Sequence, residues 1–206
     1  MTTGLLTLVD IRVAIPEGVI LYRGFAGEFF RFLPNSQGLN EEYFYSHQPM
    51  SGRKLPVYST SVQPIGYLDD SEETREKFNV LTEPAIVVAR KGYAGRMFVV
   101  EDHEFIVHED AYGIRPKVRY ADAIDPYWFV GHYSAEFQSY RTSDYGIGDF
   151  PRKRFNKMKI IIPNMDLQNE IAILYKRRGE LLRQSGELET KAATITNAII
   201  QRNIRS

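Results

Sequence analysis

"PRKRFNKMKIIIPNMDLQNEI", residues 151–171, packs five basic residues, a triple isoleucine closed by proline and the start of an amphipathic run into 21 positions. "MKIII" reads as a buried strand, and Pro163 stops it because proline has no N–H to give a ladder. From Asp166 the pattern turns helical. Alternate steps of four and three give Leu167, Ile171, Leu174, Arg178, Leu181, Ser185, Leu188, Ala192, Ile195, Ile199 and Arg202, and eight of these eleven are apolar. That is a seam of the coiled-coil type, with Asn164 or Asp166 able to cap its start. Gly179 and Gly186 each weaken the helix by about 1 kcal/mol relative to alanine. A single apolar stripe must be buried on something, and a partner helix is the economical cover. At about 1.5 Å per residue a helix of roughly 39 residues is about 58 Å long and should project. The expected division is a globular body over 1–163 and a dimerisation, spacer and partner-docking helix over 164–206.

Upstream, the chain reads as strands and turns. "GVILYRG" and "GEFFRFL" are two short strands joined by a turn, and "PNSQGLN" is a loop. "PAIVVAR", "RMFVV" and "EFIVH" are strands, with "KGYAG" turning between the first two. "DDSEETREKF" is a short helix or an exposed acidic loop. Asp125 and Pro126 supply an N-cap and a first-turn proline, after which Phe129, Val130, Tyr133, Phe137 and Tyr140 recur at helical spacing. "RTSDYGIGDFPRKR" reads as a polar loop. The fold class expected is α+β, a mainly β body followed by one long coiled-coil helix.

The 206 residues suffice for one ordinary core and carry no cysteine, which excludes disulfides and thiolate metal sites and fits the cytoplasm. The longest strongly apolar run is "AIVVA", so neither a signal peptide nor a membrane span is expected. Formal net charge is zero, yet acids and bases are segregated. Lys plus Arg minus Asp plus Glu is −2 over 1–50, +1 over 51–100, −6 over 101–150 and +7 over 151–206. Such a basic segment attracts phosphate locally, although a charged loop is also ordinary surface.

Catalytic signatures are weak. "DPYW" at 125–128 resembles the catalytic tetrapeptide of amino-methyltransferases, but lacks the second proline and any glycine-rich cofactor turn before it. It reads better as a helix start. Glu189 and Lys191 have a nuclease-like spacing on a projecting helix with no pocket. His103 and His108 fit a surface or turn role better than metal binding. No catalytic residue, metal site or cofactor is assigned to the chain.

What remains is a set of polar loops. They bring Tyr58, Ser59 and Thr60; Arg90, Lys91, Tyr93 and Arg96; Arg141, Ser143 and Tyr145; and Arg152, Lys153 and Arg154. Arg and Lys suit guanine edges or phosphates, and small hydroxyls suit both. Four such loops beside a dimerisation helix point to duplex DNA. A stand-alone nuclease or methyltransferase, or a coiled-coil scaffold, is the alternative.

"LPVYSTSVQPIGYLDD", "AIVVARKGYAGRMFVV", "HEDAYGIRP" and "KRFNKMKIIIPNMDLQNEI" resemble, in order and spacing, the target recognition domain and following helix of the DNA specificity subunit of type I restriction-modification systems. "GLNEEYFYSHQP" resembles the lead-in of one subgroup. The resemblance implies a subunit without an active site that reads half of a bipartite DNA site. It also implies modification subunits that methylate adenine with S-adenosylmethionine, and often a motor and nuclease subunit. Family members with two recognition domains carry two helical regions; this sequence has one of each. It therefore resembles a half-size subunit that pairs with itself.

Overall fold

The five buried residues of "AIVVA" form strand β6 (Ala85–Ala89), and the first four divide between two cores. Ala85 and Val87 join Leu33, Tyr58, Phe98 and Phe105, whereas Ile86 and Val88 join Tyr112, Phe129, Phe155 and Ile160. A strand places successive side chains on opposite faces, so one covered on both faces has no position for a polar residue. β6 lies inside a sheet of order β2 (Phe30–Phe32), β10 (Ala111–Pro116), β6, β8 (Met97–Val100), antiparallel throughout. The computed structural model describes residues 15–39, 43–44, 52–101, 104–141 and 148–204, with backbone alone at 182–183, 186–187, 189–190 and 192–204.

A second sheet, of order β4 (Gly66–Asp69), β3 (Lys54–Tyr58), β9 (Phe105–Val107), β5 (Val80–Leu81), packs on the first; only β3 and β9 are parallel. Phe105 and Val107 face the shared core. Ile106 faces the other way, toward Leu39, Leu55, Val57, Leu68 and Phe78. Helix α2 (Glu72–Lys77), the acidic stretch of the sequence, starts where the Ser71 hydroxyl accepts the Thr74 N–H.

Helix α3 (Pro126–Ser139) covers the outer face of the first sheet with Trp128, Phe129, Val130, Tyr133 and Phe137, and the Asp125 carboxylate accepts the Trp128 N–H at 2.8 Å. "DPYW" is thus a capped helix start. β1 (Ile20–Phe25) and β2 do not pair with each other, because the short helix α1 (Ala26–Phe29) separates them and β1 instead pairs antiparallel with β12 (Lys159–Pro163). Tyr133 ties β12 to α3. Its hydroxyl donates to the Ile161 carbonyl at 2.9 Å and accepts the Ile161 N–H at 2.7 Å, and burial pushes the phenol up to about 12.

Helix α5 (Met165–Ile204) spans 40 residues. Asn164 caps it, its side-chain oxygen accepting the Leu167 N–H at 3.2 Å, while Asp166 lies in the first turn. Gln168 is fully buried; it donates to the carbonyls of Ala123 and Pro163 and accepts the Asp125 N–H, each at 2.8 Å. Tyr175 packs on Gly131, where a Cβ would lie 3.1 Å from the ring. Gln168 beside Asp125 and Tyr175 beside Gly131 mean that α5 runs parallel along α3. The expected seam is therefore divided: Ile171 is buried and Leu167 half-buried against the body's own core. Leu174, Leu181 and Leu188 stay 56%, 51% and 65% exposed. The side chains of Ala192, Ile195 and Ile199 lie outside the described residues. No described helix is long and apolar enough to cross a membrane.

Candidate nucleic-acid interface

The turn from β6 to β8 is a tight, glycine-shaped tip. Gly92 and Gly95 take φ of 66° and 84°, a region open to glycine without steric cost. Gly95 is pressed against α3, where an added Cβ would meet the Phe137 carbonyl oxygen at 2.5 Å. The Gly95 N–H donates to Ala89 and the Arg96 N–H to Tyr93, each at 2.9 Å. Tyr93 is 64% exposed at the apex, with the Arg96 guanidinium 5.4 Å from its ring centre.

"RKGYAGR" is more than a turn, because it holds strand β7 (Lys91–Gly92), paired antiparallel with β11 (Gly148–Asp149). The Phe150 N–H donates to the Arg90 carbonyl at 2.7 Å. Two of the four loops singled out in the sequence are thereby brought together, Arg90 to Arg96 on one side and Arg152 to Arg154 on the other. Asp110 works against this positive surface. Its carboxylate sits 3.2 Å from the Lys91 ammonium, and its carbonyl accepts the N–H groups of Arg90 and Lys91.

"PRKR" is not a loop: residues Arg152–Asn156 form helix α4, after Pro151 at the N-cap. Arg152 lies over Phe32, 5.2 Å from the ring centre, and reaches Asn35 and the Leu33 carbonyl. Arg154 donates to the Tyr140 carbonyl at the end of α3. Both guanidiniums brace α4 against the body. Lys153 is exposed and has no hydrogen bond or ion pair among the described residues.

Tyr58 and Ser59 correct the expectation of an exposed hydroxyl loop. The Tyr58 ring packs on Phe98 and Phe105, 8% exposed, and Ser59 is 5% exposed. β3 ends at Tyr58 with its ring turned inward, Ser59 is buried in the bend that follows, and Thr60 is half-buried beside it. Arg141 is exposed beside the end of α3, and Ser143 and Tyr145 lie outside the described residues. His108 serves a turn, its Nδ1 accepting the Asp110 N–H and its Nε2 meeting the Leu39 carbonyl at 2.9 Å. His103 lies outside the described residues. Among the described residues no group of three or more His, Asp or Glu could hold a metal ion. Two contributors escaped the sequence reading. Asn35 sits in a stretch read only as loop, and Asp110 carries no motif.

Two sheets with helices on one outer face, and a long helix fused to them, form a rigid head on a rod, with a cationic tip on the head. Residues 31–182 match the family described as the Type I restriction modification DNA specificity domain, and the chain belongs to that family. DNA recognition, not catalysis, is that family's work. No curated protein matches the chain in sequence. Similar folds occur in the S subunit of a type I restriction-modification system from M. genitalium, at 15% identity and a TM-score of 0.58, covering 84% of this chain and 42% of that one. A chain of a type I system solved for its complex assembly and conformational transition gives 13% identity and a TM-score of 0.58, over 87% and 43%. The HsdS subunit from Thermoanaerobacter tengcongensis gives 12% identity and a TM-score of 0.53, over 83% and 40%. The chain spans about two-fifths of the length of these solved structures.

Proposed function

We propose that this chain reads one half of a bipartite DNA site within a type I methyltransferase or restriction assembly, and that α5 pairs antiparallel with the α5 of a second copy. The row of exposed leucines, Leu174, Leu181 and Leu188, on a helix fixed to the body carries the pairing. Leucine at heptad spacing, left uncovered by the body, calls for an apolar partner, and an identical stripe supplies one. The tip of Lys91, Tyr93 and Arg96, together with Arg90, Lys153, Thr60 and Arg141, is the surface offered to duplex DNA. Ser143 and Tyr145 belong to the same stretch of chain as Arg141.

A two-fold pair presents identical heads in opposite orientations, so the target is an interrupted palindrome. Methyl transfer from S-adenosylmethionine belongs to modification subunits bound beside it, and cleavage to a motor and nuclease subunit where the assembly has one. Such work on DNA is expected in the cytoplasm. Analytical ultracentrifugation of the purified chain, joined with methylome sequencing of cells carrying it and its modification subunit, tests the reading. A dimer that dissociates when Leu181 is changed to Glu, with palindromic methylation, supports it. A monomer, or two unrelated half-sites, overturns the pairing.

A further inference from the structure

We propose, on the DNA-recognition reading above, that Arg96, Arg178 and the Tyr175 hydroxyl form a phosphate site at the junction of body and helix, which takes a backbone phosphodiester of duplex DNA on the spacer side of the half-site. Two independent placements bring these groups together. Because α5 runs parallel along α3 with Tyr175 at Gly131, Arg178, three residues further on, comes level with Ser134. The Ser134 hydroxyl accepts the Met97 N–H at 3.1 Å, and Gly95 touches the backbone of Phe137 and Gln138. Arg96, between Gly95 and Met97, therefore approaches that same level from the tip.

Tyr175 shares a helix face with Arg178. Burial raises its phenol, and the charges of Arg178 and Arg96 both oppose that rise.

The neighbouring cations are already engaged. Lys176 sits over the Tyr127 ring at 4.0 Å, and Arg177 pairs with Glu180 at 3.0 Å. Arg96, over the Tyr93 ring at 5.4 Å, and Arg178 are both exposed, and among the described residues no carboxylate pairs with either. Two guanidiniums supplied by different elements repel each other until an anion sits between them. Their planar forks and a phenolic O–H match the tetrahedral oxygens of a phosphodiester.

The test measures anisotropy of a labelled random-sequence duplex against salt for the full chain, with Arg178→Gln, Arg96→Gln, the double variant and Arg178→Lys, each first checked for an unchanged melting temperature. Each single Gln variant is expected to bind more weakly, with a slope of log K against log salt shallower by about 0.9, the change for one phosphate. The double variant should lose no more than either single one, since both guanidiniums hold one group. Arg178→Lys should keep the slope. Wild-type binding with unchanged slopes in both single variants overturns this site alone, as does additive loss in the double variant. A second arm uses inorganic phosphate without DNA: if it raises the melting temperature of the wild type but not of Arg178→Gln while the duplex slopes agree, the site takes a small anion and the DNA assignment falls. No duplex binding by the wild type overturns the recognition reading and this site together.

Discussion

The side-chain amide of Gln168 accepts the backbone N–H of Asp125 at 2.8 Å, so the first turn of α5 is bonded to the cap of α3. The same amide holds the carbonyls of Ala123 and Pro163. Gln168→Leu fills the space but leaves three backbone groups without partners. It should cost on the order of 3 kcal/mol, read as a lower urea midpoint at unchanged slope. A loss below 0.5 kcal/mol would show that water replaces the amide.

Gly92 and Gly95 separate conformation from contact. Both have positive φ, but nothing lies within 4 Å of a Cβ at Gly92, whereas one at Gly95 meets the Phe137 carbonyl at 2.5 Å. Gly92→Ala should cost about 1 kcal/mol for the left-handed backbone alone. Gly95→Ala adds backbone overpacking and should cost about 3 kcal/mol. Equal melting temperatures for the two would contradict the docking of the tip on α3.

Lys153 and Arg154 are adjacent and should part company. Lys153→Ala should weaken binding to any duplex and leave the melting temperature unchanged, since only solvent holds that side chain. Arg154→Ala should lower the melting temperature as well, because the end of α3 loses its donor. Thermal melts beside anisotropy titrations distinguish them.

Asp70 gives an acid signature. The hydrogen bond from Arg75, at 2.5 Å, holds its carboxyl below the usual carboxylate range against the opposing effect of burial. A depressed folded-state pKa favours the native state above the unfolded value of 3.8, and that contribution disappears as pH falls through the folded value. Asp70→Asn should therefore melt lower than wild type at neutral pH and converge with it as pH falls through the folded-state value of Asp70. A constant difference at all pH values would remove Asp70 from the acid response.

Deleting one heptad, Leu181 to Glu187, brings Leu188 into register behind Arg178 and tests α5 as a ruler. In an antiparallel pair seven residues at about 1.5 Å each bring the heads roughly 10 Å closer. At about 3.4 Å per base pair the unread spacer should shrink by about three base pairs with both half-sites unchanged. Methylome sequencing reads this directly; a folded dimer methylating the original spacing at full rate would refute it.

Local signals carried most of the fold into the sequence. The β6 run, the Asp125–Pro126 cap and the Asn164 cap each depend on residues within one turn or one strand. The β7–β11 pairing joins residues 56 and 58 apart and leaves no local trace, and so the meeting of two loops was not legible. α4 holds only five residues, too few for a period, and its three cations suggested solvent where two of them brace the body. Tyr58 and Ser59 look like a hydroxyl loop, but β3 ends on Tyr58 and the bend after it buries Ser59. The leucine spacing was plain, but not which leucines the body would claim, because that depends on α3 lying alongside α5.

The parallel seating of α5 on α3 makes the rod a lever. Over 40 residues, at about 1.5 Å each, its far end lies about 60 Å from the joint. A tilt of about 5° at the joint would displace that end by about 5 Å, more than the rise of one base pair. Spacing discrimination at base-pair accuracy therefore demands angular stiffness within a few degrees, a tolerance that neither the tip nor the leucines can supply. It falls to a buried glutamine and a glycine without a side chain.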